Sequence, residues 1–332
     1  MVAEAGYMLA VGLAFGAAWG VTRTCCRPDS LLHFVDQPNE RSLHVRPTPR
    51  TGGVGVMAGV LLGGGLALLA GHGSMGLVLA LAGAVLLAVV GLADDRLDLS
   101  ARVRLLVHLG VAAGFVVISD AGGGVEAWRV LPLVLGLVWM TNLYNFMDGS
   151  DGLAGGMAVW GFVAYAVAAG GHGDGTLAAV CASIAAAAAG FLCFNFPPAR
   201  IFMGDSGSVP LGFLAGALGC VGVMGNRWPA WFPVLVFSPF IVDASVTLAR
   251  RALRGERVWQ AHRTHYYQRL VQMGYGHRGV AVRAYGLMAA CGGSALLVMD
   301  RGVALQCFVI TMWTFVYMVV GFRIDRAWRR SG

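Results

Sequence analysis

Lysine is missing from this chain. All 24 basic side chains in its 332 residues are arginine, so no mechanism that needs a lysine nucleophile or Schiff base is open to it. The accompanying wealth of alanine, glycine and valine points to coding bias as the cause. Charge of either sign is scarce as well, at 12% against 57% hydrophobic residues. Apolar runs near 18 to 20 residues recur from Tyr7 to Phe322, and one soluble core of this size could not hide them. Composition therefore excludes a soluble domain and indicates an all-α, polytopic membrane bundle. The seven cysteines (Cys25, Cys26, Cys181, Cys193, Cys220, Cys291, Cys307) are scattered, odd in number and without a C-x-x-C pair. They read as small apolar packing residues, not as a zinc site or a disulfide framework. A positive leader is lacking too: Glu4 precedes the first apolar run and Arg23 and Arg27 follow it. That run is expected to be a retained span with its N-terminus outside. No internal repeat is visible, which weighs against a two-fold transporter.

What is present is a series of about eleven expected spans, at roughly 4–22, 53–71, 75–92, 102–119, 129–146, 153–170, 176–194, 209–224, 229–248, 279–298 and 303–321. With the first end outside, the C-terminus is cytosolic, and only Arg129, Arg227 and Arg301 among the loop arginines fall on the outer face. That asymmetry obeys the positive-inside rule. Roughly 110 residues remain outside the spans, too few for a separate soluble domain. The expectation is a single integral-membrane domain over 1–332, with its site in cytosolic loops at about 23–52, 93–101, 147–152, 195–208 and 249–278.

Those loops hold five polar clusters: Asp36 to Gly53, Asp94 to Asp98, Asn142 to Asp151, Asn195 to Ser208 and His262 to Arg269. Each charge placed in hydrocarbon is penalised by roughly 2.5–3.5 kcal/mol, so polar groups gathered at one membrane face present a site there. Asp94 and Asp95 directly follow a span, and adjacent carboxylates become comfortable when a cation sits between them. Asn142, Asn145, Asp148 and Asp151 add two amides and two carboxylates at another span end, with Gly149 and Gly152 to turn the backbone. The run Phe202-Met-Gly204-Asp205-Ser206-Gly-Ser208 opens the eighth span and suits a phosphate at a helix N-terminus or a metal on Asp205. Oxygen ligands of this kind select a hard cation, Mg²⁺ before Mn²⁺, usually shared with substrate phosphates. Arg41, His44, Arg46 and Arg50 in the first loop, and His262, Arg263, His265 and Arg269 in the fifth, supply phosphate-gripping cations, although several serve topology alone. Asp243, inside the ninth span near Pro239, fits a bundle-facing hydrogen bond as well as a direct role.

In this order the clusters resemble the bacterial polyprenyl-phosphate N-acetylhexosamine-1-phosphate transferases, the superfamily of MraY, WecA and TagO. The resemblance runs from Asp36 to about Arg269 and includes D-x-P-N-x-R-x-x-H-x-x-P-T-P-R-x-G-G, the D-D pair, N-x-x-N-x-x-D-G-x-D-G-L-A and F-M-G-D-x-G-S. It implies transfer of a sugar 1-phosphate from a UDP-amino sugar to undecaprenyl phosphate in the bacterial inner membrane, with UMP released and Mg²⁺ required. No nucleic acid is implied, and a homodimer is one assembly open to such a chain. By motif, Asp94 and Asp95 would serve the lipid phosphate or the metal, and Asp205 the metal. Asn145, Asp148 and Asp151 would bind the nucleotide or its diphosphate, with Asn142 and Asn195 in the same substrate-binding set. Phe202 would stack on uracil, and His265 with its neighbours His262, Arg263 and Arg269 would hold the diphosphate; Arg41, His44, Gly204 and Ser206 complete the expected substrate-binding set, and Asp94, Asp95, Asp205 and His265 the catalytic one. Two departures stand out. Arg41-Ser42 replaces the usual Arg-Lys, and His265-Tyr-Tyr-Gln-Arg269-Leu replaces H-x-H-H-R-L. The pattern from His265 onward resembles the WecA/WbpL-like branch, which begins O-antigen and other surface polysaccharides, more than the MraY peptidoglycan branch. It leaves the donor hexosamine open. An ion-coupled sugar or nucleotide transporter is the rival from another class, and would want ionisable groups near the bilayer midplane, where only Asp243 comes close.

Overall fold

The computed structural model describes residues 2–38, 43, 46–71, 73–119, 126–258, 260 and 262–331. Among them run thirteen α-helices: α1 Val2–Cys25, α2 Gly52–Ala70, α3 Met75–Leu97, α4 Ala101–Ser119, α5 Ala127–Phe146, α6 Leu153–Gly171, α7 Gly175–Asn195, α8 Asp205–Met224, α9 Trp231–Val236, α10 Ser238–Leu253, α11 Tyr266–Leu270, α12 Gly276–Val298 and α13 Val303–Ser331. A π turn, Val271–Tyr275, joins α11 to α12. One small departure from the all-α expectation is an antiparallel pair in the first loop, β1 Val35–Asp36 with β2 Thr48–Pro49.

Nine of these segments are long and apolar enough to cross a membrane, so the protein is a polytopic helical membrane protein. They are α1 to α4, α6 to α8, the run from α11 through α12, and α13. Two of the expected eleven fall short. Helix α5 carries Arg129, Asn142 and Asn145, which lower its apolarity. The expected span 229–248 is broken at Phe237 into α9 and α10. Pro239 has no N–H to offer the preceding turn, and the Ser238 hydroxyl donates to the Leu235 carbonyl at 2.7 Å instead.

Small residues let the helices close on one another. In α2, Gly55, Gly59 and Gly63 recur every fourth residue, and a Cβ on Gly59 or Gly63 would strike the carbonyl oxygens of α1. Lipid tails are as apolar as leucine, so such close van der Waals contact drives helix association in a membrane. Helix α8 lies against α3, α5 and α2, and the Tyr144 hydroxyl of α5 donates to the Ala154 carbonyl of α6 at 2.8 Å. The ends of α3, α5 and α7 and the starts of α2, α4, α6, α8 and α12 thus meet at one end of the bundle.

Two helix boundaries matter for chemistry. Helix α3 continues to Leu97, where a span end near 92 is expected, so Asp94 and Asp95 sit in its last turn instead of following it. Helix α8 begins at Asp205, where a start near 209 is expected, which puts Asp205 and Ser206 in its first turn.

Candidate active site

The first turn of α8 leaves backbone N–H groups without intrahelical partners, and Asp95 receives two of them. Its carboxylate accepts from the N–H of Asp205 and of Ser206, both at 3.3 Å. A carboxyl group from α3 therefore caps α8 at the positive end of its dipole. Arg50 approaches the same residue, donating to the Asp95 backbone carbonyl, with its Nε 3.8 Å from Oδ1. Gly204 turns the chain into α8 at φ +71, and a Cβ there would meet the Arg50 carbonyl and the Asp95 carboxylate. Backbone bonds lace this turn to the first loop: Phe202 N–H to Pro49 O at 2.7 Å, Gly52 N–H to Phe202 O at 2.9 Å and Gly53 N–H to Met203 O at 2.8 Å.

Asp94, one residue earlier, faces α4. Arg104 donates to its Oδ2 at 2.7 Å and lies 3.6 Å from Oδ2 of Asp205. The Leu99 N–H donates to Oδ1 of Asp94 at 2.7 Å. One guanidinium thus bridges two carboxylates that would otherwise repel.

On the far side of the turn a cleft of about 300 Å³ opens, lined by Asp36, Arg50, Asp95, Asn145, Asp148, Asp151, Asn195, Phe202, Gly204 and Asp205, with Leu43, Gly149, Ser150, Gln268 and His277 completing it. Asp151 Oδ2 accepts the Ala199 N–H at 2.9 Å. Asn195 accepts the Gly152 N–H at 2.8 Å and donates to the Ile201 carbonyl at 2.9 Å. These two residues pin the 147–152 turn to the 196–204 loop. Among the described residues none donates a hydrogen bond to the Asp148 carboxyl. Burial raises its pKa well above the ordinary carboxylate range, and the negative charges of Asp205, Asp95 and Asp151 raise it further.

No three His, Cys, Asp or Glu side chains among the described residues stand close enough to cage a metal alone. A hard cation that takes one or two carboxylates and completes its shell with water and phosphate oxygens fits the donors present. Asp148 and Asp205 face one cleft, and the negative charge of Asp205 disfavours that of Asp148, which a divalent cation would relieve.

Residues 77–223, from α3 through α8, match the family described as Glycosyl transferase family 4. The chain is 31% identical over 296 residues to the "Probable undecaprenyl-phosphate N-acetylglucosaminyl 1-phosphate transferase" of Bacillus subtilis (strain 168), covering 83% of this chain and 80% of the relative. It is 33% identical to the decaprenyl-phosphate N-acetylglucosaminephosphotransferase of Mycolicibacterium smegmatis, over 76% and 72% of the two chains. It is 27% identical to the undecaprenyl-phosphate alpha-N-acetylglucosaminyl 1-phosphate transferase of Escherichia coli K12, over 89% and 85%. The chain belongs to the polyprenyl-phosphate N-acetylhexosamine-1-phosphate transferase superfamily. It is a sugar-1-phosphate transferase.

In this transferase the remaining sequence-derived residues divide. Arg41 and His44 lie outside the described residues. Asn142 turns back along α5, its amide donating to the Val138 carbonyl at 2.7 Å. Ser206 contributes its backbone N–H to Asp95, while its hydroxyl is buried without a partner among the described residues. The fifth-loop group is organised away from the cleft. Asp243 of α10 accepts the N–H groups of Tyr266 at 2.8 Å and Tyr267 at 3.0 Å, and its Oδ1 is 3.4 Å from Nδ1 of the buried His265. It caps α11 as Asp95 caps α8. The His262 ring lies 4.8 Å from that of His265, and its Nδ1 is 2.9 Å from the Thr264 hydroxyl. The Arg263 carbonyl accepts from Gln272 at 3.0 Å. Arg269 donates to Asp325 of α13 at 3.0 Å, and Arg250 reaches the same carboxylate at 2.6 Å. Gln268 alone of that motif lines the cleft.

Sequence reasoning passed over Arg104, Ser150, Gln268, His277 and Asp325. Arg104 sits ten residues beyond Asp94 in a helix whose other arginine, Arg102, is indistinguishable from it in sequence. His277 and Asp325 lie in segments that carry no motif, and nothing local distinguishes them.

Proposed function

We propose that the transferase moves N-acetylglucosamine 1-phosphate from UDP-N-acetylglucosamine to undecaprenyl phosphate on the cytosolic face of the inner membrane, as a first membrane step of surface-polysaccharide assembly. The observation that carries the reading is the cleft in which Asp95, Asp148, Asp151 and Asp205 converge from three separate hairpins beside Arg50. The names of the relatives favour the donor sugar and the polyprenyl acceptor. The cytosolic assignment takes the N-terminus as outside and counts α5, and α9 with α10, as crossings beside the nine long apolar segments, since α5 finishes at the site and so does the α9–α10 pair.

A lipid-phosphate oxygen attacks the sugar-bearing phosphorus, a new P–O bond forms, and the bond to the UMP oxygen breaks. A phosphate monoester has a second pKa near about 6, so the nucleophile is already mostly dianionic and a general base adds little. Repulsion between two anionic reactants is the larger obstacle. Asp148 and Asp205 would hold Mg²⁺, which neutralises phosphate charge when bound. Arg50 lines the cleft and would meet phosphate oxygens there, Arg104 would do so from beside Asp205, Phe202 offers a ring to the base, and Asp151 and Asn195 fix the turn that shapes the nucleotide end. Asp94 and Asp95 position Arg104 and the head of α8.

Purified protein given radiolabelled UDP-N-acetylglucosamine, undecaprenyl phosphate and Mg²⁺ should yield labelled lipid and UMP, and Asp205→Asn should lower the rate by at least about 100-fold. Labelled lipid formed equally by Asp205→Asn, or none formed by the wild type, would overturn the reading.

A further inference from the structure

His277 stands at the head of α12, outside every motif, and both of its ring nitrogens are engaged at the cleft. Nδ1 lies 2.9 Å from the Ser150 hydroxyl and 3.4 Å from the Asp151 backbone nitrogen, with Oδ1 of Asp151 3.7 Å away. Nε2 lies 3.4 Å from the carbonyl oxygen of Leu43, in the loop between α1 and α2. A backbone N–H can only donate and a carbonyl can only accept. The neutral ring therefore satisfies both sides in one tautomer, with a lone pair on Nδ1 and the proton on Nε2. Gly274 and Gly276, at φ +91 and +65, place the ring there by breaking the chain between α11 and α12.

The two ends of the site differ in what surrounds them. Near Asp94 and Arg104 the walls are α3 and α4, whose Leu97, Leu105 and Leu106 are exposed as a lipid-facing surface would be. The His277 end is built from loops and polar side chains, Ser150, Asp151 and Asn195 among them. The first end suits a lipid phosphate and the other a water-soluble nucleotide.

We propose that His277 is a positioning residue for the nucleotide sugar: it ties the α1–α2 loop to the Asp148–Gly152 turn and holds the nucleotide end of the cleft at binding width. The proposal rests on the functional reading above. Asparagine retains a polar group where Nδ1 stands and glutamine where Nε2 stands, so the two conservative variants separate the two ties.

His277→Ala is expected to raise the KM for UDP-N-acetylglucosamine about tenfold while kcat stays within about threefold and the KM for undecaprenyl phosphate is unchanged. His277→Asn and His277→Gln should each recover part of the loss, with thermal unfolding in detergent showing all variants folded. UDP alone, titrated calorimetrically, should bind about tenfold more weakly to His277→Ala. An unchanged nucleotide KM and UDP affinity, or an equal rise in both KM values, would overturn the proposal. Wild-type protein that binds UDP but makes no lipid product would fault the functional reading instead, and a loss of UDP affinity in His277→Ala would still support this role.

Discussion

Arg104 donates to Asp94 at 2.7 Å and stands 3.6 Å from Asp205, so the side chain that steadies one carboxylate also competes for the other. A cation drawn to Asp205 feels the guanidinium's repulsion. Arg104→Gln is therefore expected to lower the Mg²⁺ concentration for half-maximal activity by about threefold or more, while kcat falls because a phosphate-facing charge is gone. Mg²⁺ titration of turnover checks this, and a raised Mg²⁺ requirement would contradict it.

Asp95 reads in sequence as a partner of Asp94, yet its carboxylate faces the head of α8. Asp95→Ala removes an acceptor for two N–H groups together with the charge that favours the helix dipole, and should cost about 1–2 kcal/mol of stability. Asp95→Asn, which keeps one acceptor oxygen, should cost less. Thermal unfolding of both in detergent gives the order; equal losses would point to a role in which only the charge matters.

Gly204 has room for no side chain, with the Arg50 carbonyl and the Asp95 carboxylate against it at φ +71. Gly204→Ala should destabilise by about 2–3 kcal/mol through left-handed strain and displacement of the cap, and activity should fall with it. Unchanged unfolding would show that the turn can move.

The raised pKa of Asp148 means that the folded protein favours its protonated form. Its contribution to stability is present in full below the ordinary carboxylate range and is lost as pH rises through the raised value. In chelator, the unfolding temperature should drop as pH rises above the ordinary carboxylate range, and Asp148→Asn should flatten that drop. Mg²⁺ should stabilise the wild type more at the upper pH. Stability that rises with pH in chelator and is unaffected by Asp148→Asn would refute the assignment.

Asp243 accepts from Tyr266 and Tyr267 and faces His265, so it acts on the fifth loop through α11. Asp243→Ala should cost about 2 kcal/mol by leaving two buried N–H groups unpaired. His265→Ala should reduce turnover far less than Asp205→Asn, since His265 stands behind the cleft wall. Comparable losses in the two kinetic assays would return His265 to the chemistry.

Sequence by itself determined the membrane class, the clustering of polar residues between apolar runs and the family, because hydrocarbon penalises charge so heavily that apolar length and carboxylate position are written in the order of residues. The D-D pair, the Asp148 turn and the Asp205 turn were legible for the same reason. Tertiary structure alone decided what each carboxylate faces. Asp94 and Asp95 are neighbours in the chain, but the roughly 100° between successive residues of a helix sends one to Arg104 and the other to α8. Whether a carboxylate meets a cation, a helix head or an open cleft depends on neighbours far along the chain, as with Asp95 and Ser206 or Ser150 and His277. Those pairings arise from packing between helices, and no local pattern in the chain encodes them.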